Sequence, residues 1–143
     1  MLTSPQAFLF SKLSNLKPVF KEGGTVTAGN SSAISDGAAA IILMSEREAK
    51  NLNIKPLAKI LASSSYGVKP EIMGIGPVYG IPLTVRQAEL NLNDIDYFEI
   101  NEAFAAQFLA VKKELNLNID KVNVNVSGIS LGHPTGCTGL RLI

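Results

Sequence analysis

Tyr97-Phe98-Glu99-Ile100-Asn101-Glu102-Ala103-Phe104 passes from a short strand pattern into a helix pattern within a single turn of chain. Phe104, Phe108, Val111 and Leu115 then recur at intervals of four, three and four, which is one face of a helix opened by Asn101. Upstream, Lys59 to Ala62 begins a strand, Ser63 to Pro82 reads as a long loop rich in Gly and Pro, and Thr84 caps a helix through about Leu90. Downstream, Asn116 to Asp120 ends the helix started at Asn101, and Val122, Val124 and Val126 alternate as a strand should. A glycine-rich loop then leads into a last helix. The order strand, helix, strand, helix, strand, helix predicts an α/β layered fold with a parallel sheet. In such sheets, ligands bind in loops at the carboxyl ends of the strands, and both Asn101 and His133 fall there.

The first third of the chain is different. Residues 1–37 are polar and turn-rich, punctuated by Glu22-Gly23-Gly24-Thr25 and Ala28-Gly29-Asn30-Ser31-Ser32. Ala38 to Met44 is a continuous apolar run that reads equally as a buried strand or a short buried helix. Ser45-Glu46-Arg47-Glu48 matches a capping box and predicts a helix over about 46–52, with Glu46 and Lys50 in the favourable order for an ion pair. Met73-Gly74-Ile75-Gly76-Pro77 carries two glycines of a dinucleotide fingerprint. Tyr79 occupies the third position and no helix is expected to open there, so dinucleotide binding is rejected.

The 143 residues contain one His and one Cys, and both lie in Gly132-His133-Pro134-Thr135-Gly136-Cys137-Thr138-Gly139. Glycine and proline set unusual and fixed backbone angles, so such a loop holds a side chain in place at a helix start. An imidazole held there serves as a general base or a hydrogen-bond donor. One His, one Cys and scattered acids give no metal-ligand pattern, so no metal is expected. Lys plus Arg number 13 against 12 Asp plus Glu, which argues against nucleic acid or an anionic membrane as partner. No apolar stretch has membrane-helix length. Met1 to Phe10 lacks a basic start before its apolar patch, which argues against a signal peptide. A lone cysteine suits the cytoplasm. At this length the chain is expected to bury roughly 70% of its unfolded surface.

Three segments, in order, resemble the thiolases, the acetyl-CoA and 3-ketoacyl-CoA acyltransferases. They are Gly24-Thr25-Val26-Thr27-Ala28-Gly29-Asn30-Ser31-Ser32 with Asp36-Gly37-Ala38-Ala39, then Asn101-Glu102-Ala103-Phe104-Ala105-Ala106, then Leu131-Gly132-His133-Pro134 with Gly136 and Gly139-Leu140-Arg141. The likeness runs from about Leu16 to Ile143 and includes Met73-Gly74-Ile75-Gly76-Pro77. It implies a layered αβαβα fold of two similar halves, here incomplete, with residues 1–55 as the tail of the N-terminal domain and 56–143 as a truncated C-terminal domain. It also implies carbon–carbon bond chemistry between acyl-CoA molecules within fatty acid metabolism. His133 matches the histidine that activates a nucleophilic cysteine and helps hold the thioester oxygen. Asn101 matches the asparagine that positions a water in that oxyanion hole. Ser32, with Ala28 and Gly29, matches the loop along the pantetheine of CoA. Ala103, Phe104 and Met73 match pocket-lining positions. Val126-Ser127-Gly128 stands where the family usually reads Gly-Gly-Ala, although valine does not readily take angles open to glycine.

The family's nucleophilic cysteine belongs to the first half of a longer chain, and its second cysteine to a segment after the histidine loop. The resemblance therefore implies a thiolase fragment, inactive alone. Its partners would be an acyl-CoA substrate, with coenzyme A as substrate and no covalently bound cofactor, and a second copy or a complementing thiolase half. The alternative is a non-catalytic module that binds CoA or docks on a thiolase. A third reading makes Cys137 the nucleophile of an acyl hydrolase, although the position is a small filler in the family. Asn101 also reads as a plain helix cap and Ser32 as a turn serine. Asp36 reads as a loop-fixing residue, the Phe104, Phe108 and Val111 stripe as core, and Lys112 and Lys113 as a solvated face.

Overall fold

The computed structural model describes residues 5–143. The polar opening and the signal-peptide test on Met1 to Phe10 begin in residues 1–4, outside the described residues. Six α-helices are present among the described residues: α1 (Pro5–Ser14), α2 (Glu46–Asn51), α3 (Gly76–Gln87), α4 (Ala105–Glu114), α5 (Gly128–Leu131) and α6 (Thr135–Leu142). Short 3-10 turns at Ala28–Asn30, Pro70–Ile75, Leu92–Asp94 and Ile119–Lys121 connect them.

Helix α2 forms where the capping box placed it. Ser45 Oγ accepts the Glu48 N–H at 3.2 Å, and Lys50 pairs with Glu46 at 2.7 Å on the exposed face. Helix α4 carries the expected apolar stripe but starts later than expected. Asn101 does not cap it, and Phe104 holds the N-cap position. Helix α3 overturns the long-loop expectation. It opens at Gly76 with proline in its first turn, where proline's missing N–H costs nothing. It then runs through Pro82, with Thr84 inside the helix instead of capping it. A helix therefore does open beside the two glycines of Met73-Gly74-Ile75-Gly76, but the dinucleotide fingerprint still fails, on Tyr79 and on the 3-10 turn that stands where a strand is needed.

The core is Ile100, Phe108, Val111, Leu117 and Val122, with Val78, Ile81, Phe98 and Leu115 packed against it. It joins α3 and α4 to the extended segment before Asn101. That segment makes one parallel bridge, Phe98 with Val122, through Phe98 N–H to Lys121 O and Asn123 N–H to Phe98 O, each 2.8 Å. No strand ladder forms among the described residues; pairing is confined to isolated bridges. The expected strand at Val122, Val124 and Val126 is instead a turn. Asn123 and Val126 take φ of 52° and 63°, and Val126 N–H bonds back to Asn123 O at 3.0 Å. The apolar run Ala38 to Met44 forms neither helix nor strand and is exposed, not buried, with Ile42 at 87% and Leu43 at 67%.

Exposure is general. The accessible surface is 11109 Å² for 15.2 kDa, against about 7,100 Å² for a compact monomer of that mass. The chain thus buries roughly half of its unfolded surface, not the roughly 70% its length led one to expect.

Candidate functional site

Two loops meet at the amino ends of α4 and α6. The first is the turn Asn101–Phe104 that enters α4. The second is Gly132–Pro134, between α5 and α6. Gly132 has φ of 81°, in the left-handed region that glycine takes without strain, and a β-carbon there would collide with the Ser35 side chain. Arg141 Nη2 reaches back from α6 to donate to Gly132 O at 3.1 Å.

The segment after the Ala28–Asn30 turn ties the loops together. Ser32 N–H donates to Ala103 O at 2.9 Å, and Ser31 bridges Phe104. One residue further on, Ala33 O accepts the His133 N–H at 3.0 Å. Phe20 meets Phe104 edge-on, with ring centroids 5.6 Å apart.

At this junction Asn101 Nδ2 and His133 Nε2 lie 3.3 Å apart. On its other side, His133 Nδ1 lies 2.8 Å from Thr138 Oγ1. Thr138 is buried, and its hydroxyl donates to Pro134 O at 3.1 Å, four residues back. That commits its single hydrogen, so Thr138 accepts from Nδ1–H. The network therefore places the ring hydrogen at Nδ1 and leaves the Nε2 lone pair to accept the Asn101 amide. The other end of that amide, Oδ1, is buried and has no partner among the described residues.

Of the residues singled out from the sequence, Asn101, His133, Ser32, Ala103 and Phe104 come together in this network. Ala28 and Gly29 form the 3-10 turn just before it. Gly29 packs against α1 and its flank, where a β-carbon would lie 2.5 Å from both Leu13 and Leu16. Met73 lies on the Pro70–Ile75 turn and is 63% exposed, outside the hydrogen-bonded group. Cys137 is buried, with its sulfur near Gly37. Among the described residues no hydrogen bond joins Cys137 to His133, so the geometry gives no support to a Cys137–His133 nucleophile pair. A groove of about 340 Å³ lined by Pro77, Ile81, Thr84 and Phe98, among others, contains neither Asn101 nor His133.

Three contributors escaped the sequence reading: Thr138, Ser127 and Asn123. Thr138 had a readable signal, a threonine four residues after the proline that starts its helix. Ser127 was visible only as a departure from the usual glycine, and Asn123 lay hidden between alternating valines.

Comparison with known proteins gives a consistent family. The model of the thiolase C-terminal domain matches residues 54–143, and that of the thiolase N-terminal domain matches residues 3–47. A probable acetyl-CoA acyltransferase of Staphylococcus aureus (strain N315) is 54% identical over 132 residues. That alignment covers 92% of this chain and 34% of the relative, so the chain spans about a third of the length of the curated relatives it matches. Among solved structures, the Bacillus anthracis acetyl-CoA acetyltransferase superposes with a TM-score of 0.89 at 55% identity, covering 92% of this chain and 34% of that one. Human mitochondrial 3-ketoacyl-CoA thiolase does so with 0.89 at 51% identity and the same coverage, and a structure of it in complex with CoA superposes equally well.

Proposed function

The chain belongs to the thiolase family, and from that premise we propose that it supplies the asparagine–histidine part of an acyl-CoA site whose attacking thiols come from other polypeptide. The observation that carries this reading is the contact of Asn101 with His133, made across two loops and backed by Thr138. His133 Nε2 gives up the Asn101 amide and takes the proton of an attacking thiol. The thiolate sulfur bonds to the 3-keto carbon of a 3-ketoacyl thioester, the bond between that carbon and the next breaks, and the departing two-carbon thioester leaves as an enolate. The imidazolium then presents Nε2–H to the thioester oxygen. Asn101 Oδ1 accepts one hydrogen of a water whose other hydrogen goes to the same oxygen. Fixed donors of this kind contribute roughly 3 kcal/mol each to stabilising the developing charge.

Residues 1–55 are assigned in this reading to the tail of the first thiolase domain and 56–143 to part of the second. The extended segments 58–62 and 97–100 become strands of the layered αβαβα sheet when the remaining polypeptide pairs with them. Ala28, Gly29 and Ser32 line the path of the pantetheine, with Met73, Ala103 and Phe104 around the acyl end. CoA thioesters are substrate, and the setting is cytoplasmic fatty acid metabolism. The protein works as a homo-oligomer or with a complementing half.

Two measurements test this. The isolated 143-residue chain is expected to leave acetoacetyl-CoA uncleaved; turnover by it alone refutes the divided site. Calorimetry with millimolar CoA is expected to give heat, with binding about fivefold weaker in Ser32→Ala, the effect of one neutral hydrogen bond. No heat from a folded chain removes the CoA path. Heat without turnover, even in a folded complex with a complementing half, selects the non-catalytic binding module instead.

A further inference from the structure

We propose that Ser127 is a positioning residue for Asn101, gripping the peptide groups on either side of it. Ser127 is 1% exposed. Its hydroxyl donates to Ile100 O at 3.0 Å and accepts the Glu102 N–H at 3.2 Å. Asn101 is the residue between those two groups. Asn123 completes the grip: its Oδ1 accepts the Ile100 N–H at 2.7 Å, and its Nδ2 donates to Ile100 O at 2.9 Å and to Glu102 Oε1 at 3.0 Å. Two side chains thus satisfy backbone groups that a neighbouring strand would otherwise pair, and they hold the peptide planes that set the direction of the Asn101 side chain. Gly128 adds clearance. A β-carbon there would lie 2.7 Å from Asn101 Oδ1 and 2.9 Å from Glu102 O.

A hydrogen-bonded hydroxyl this deeply buried is costly to leave half-satisfied, and this one is satisfied on both sides. Glycine or alanine at this position would offer no hydroxyl, so the grip depends on this serine. Its consequence is felt one residue away, at the contact between Asn101 Nδ2 and His133 Nε2. Loss of the grip lets the 101–102 peptides turn and takes the amide away from the imidazole.

The inference rests on reading Asn101 and His133 as one site, but its test needs no turnover. His133 is the only histidine of the chain, so its ring ¹⁵N resonances report a single site. At a pH where the ring is uncharged, Ser127→Ala is expected to move the Nε2 resonance downfield as the Asn101 hydrogen bond is lost. It is also expected to speed exchange of the Glu102 amide about tenfold, the size of one lost hydrogen bond. Ser130→Ala, whose hydroxyl bonds to Ser127 O and makes no hydrogen bond to Asn101, is the control and keeps the wild-type resonance. A folded Ser127→Ala with the wild-type Nε2 resonance overturns the proposal whatever the exchange rate, and so does an equal shift in the control. Should Ser127→Ala not fold, exchange in the wild type decides: a protected Glu102 amide upholds the grip, and exchange as fast as an open loop overturns it. Absence of thiolysis in a reconstituted site with these signatures intact fails the functional reading alone.

Discussion

Val126 is a β-branched residue held at φ of 63°, a conformation in which its side chain crowds its own backbone. The surrounding contacts hold it there: Asn123 and Ser127 are both fixed by bonds to the 100–102 segment. Such strain costs about 1–3 kcal/mol, and glycine removes it while adding about 0.5–1 kcal/mol of unfolded-state entropy. Val126→Gly is therefore expected to stabilise the chain by about 1 kcal/mol, read as a higher denaturant midpoint; a lower midpoint contradicts the strain. Gly128→Ala has the opposite sign. The added methyl meets Glu102 O, a backbone atom that cannot swing away, so about 1–3 kcal/mol of destabilisation is expected in the same titration. Asn101 and His133 were legible at this scale because loop-forming residues announce a fixed side chain. Ser127 was not, because its hydroxyl's role depends on which carbonyl the fold brings to it, here Ile100 O.

Helix α4 was legible as an element, since an apolar stripe at spacing four and three is a local property of sequence. Its amino end was not. Asn101 has the chemistry of a cap, but its side chain is drawn across to His133 in another loop, and Phe104 takes the position instead. The start of helix α3, before Thr84, was missed because Gly and Pro outvote periodicity in a local reading, whereas packing of Val78 and Ile81 on the core settles the matter. The strands were legible only as extended segments. Ladder formation is a property of pairs, and among the described residues a parallel partner arrives at one bridge, Phe98 with Val122. Phe108 and Val111 carry α4 onto this core, with Val111 fully buried. Phe108→Ala is expected to cost about 3–5 kcal/mol, comparable with the whole stability of a small domain, and to unfold the chain as seen by loss of amide dispersion. A dispersed spectrum from Phe108→Ala contradicts the core assignment.

At the scale of the molecule, the surface is the salient quantity. The chain exposes thousands of Å² more than a compact protein of its mass, including Ile41 to Met44, Leu57, Ile60 and Leu61. Apolar surface of that extent marks an interaction face or an association hazard. The isolated chain is accordingly expected to bind a hydrophobic dye and to self-associate with rising concentration in sedimentation, both suppressed by a complementing thiolase half. A monodisperse, dye-free monomer contradicts this. On the proposed reading the attacking thiol comes from other polypeptide, because the chain's one cysteine is buried and makes no hydrogen bond to His133 among the described residues. The decisive measurement is thiolysis of acetoacetyl-CoA by the chain assembled with the remaining two-thirds of its Bacillus anthracis relative, with and without His133→Ala. Turnover by the wild-type assembly that falls at least about a hundredfold in the variant is the expected outcome; a folded assembly in which His133→Ala turns over as fast as the wild type contradicts the site.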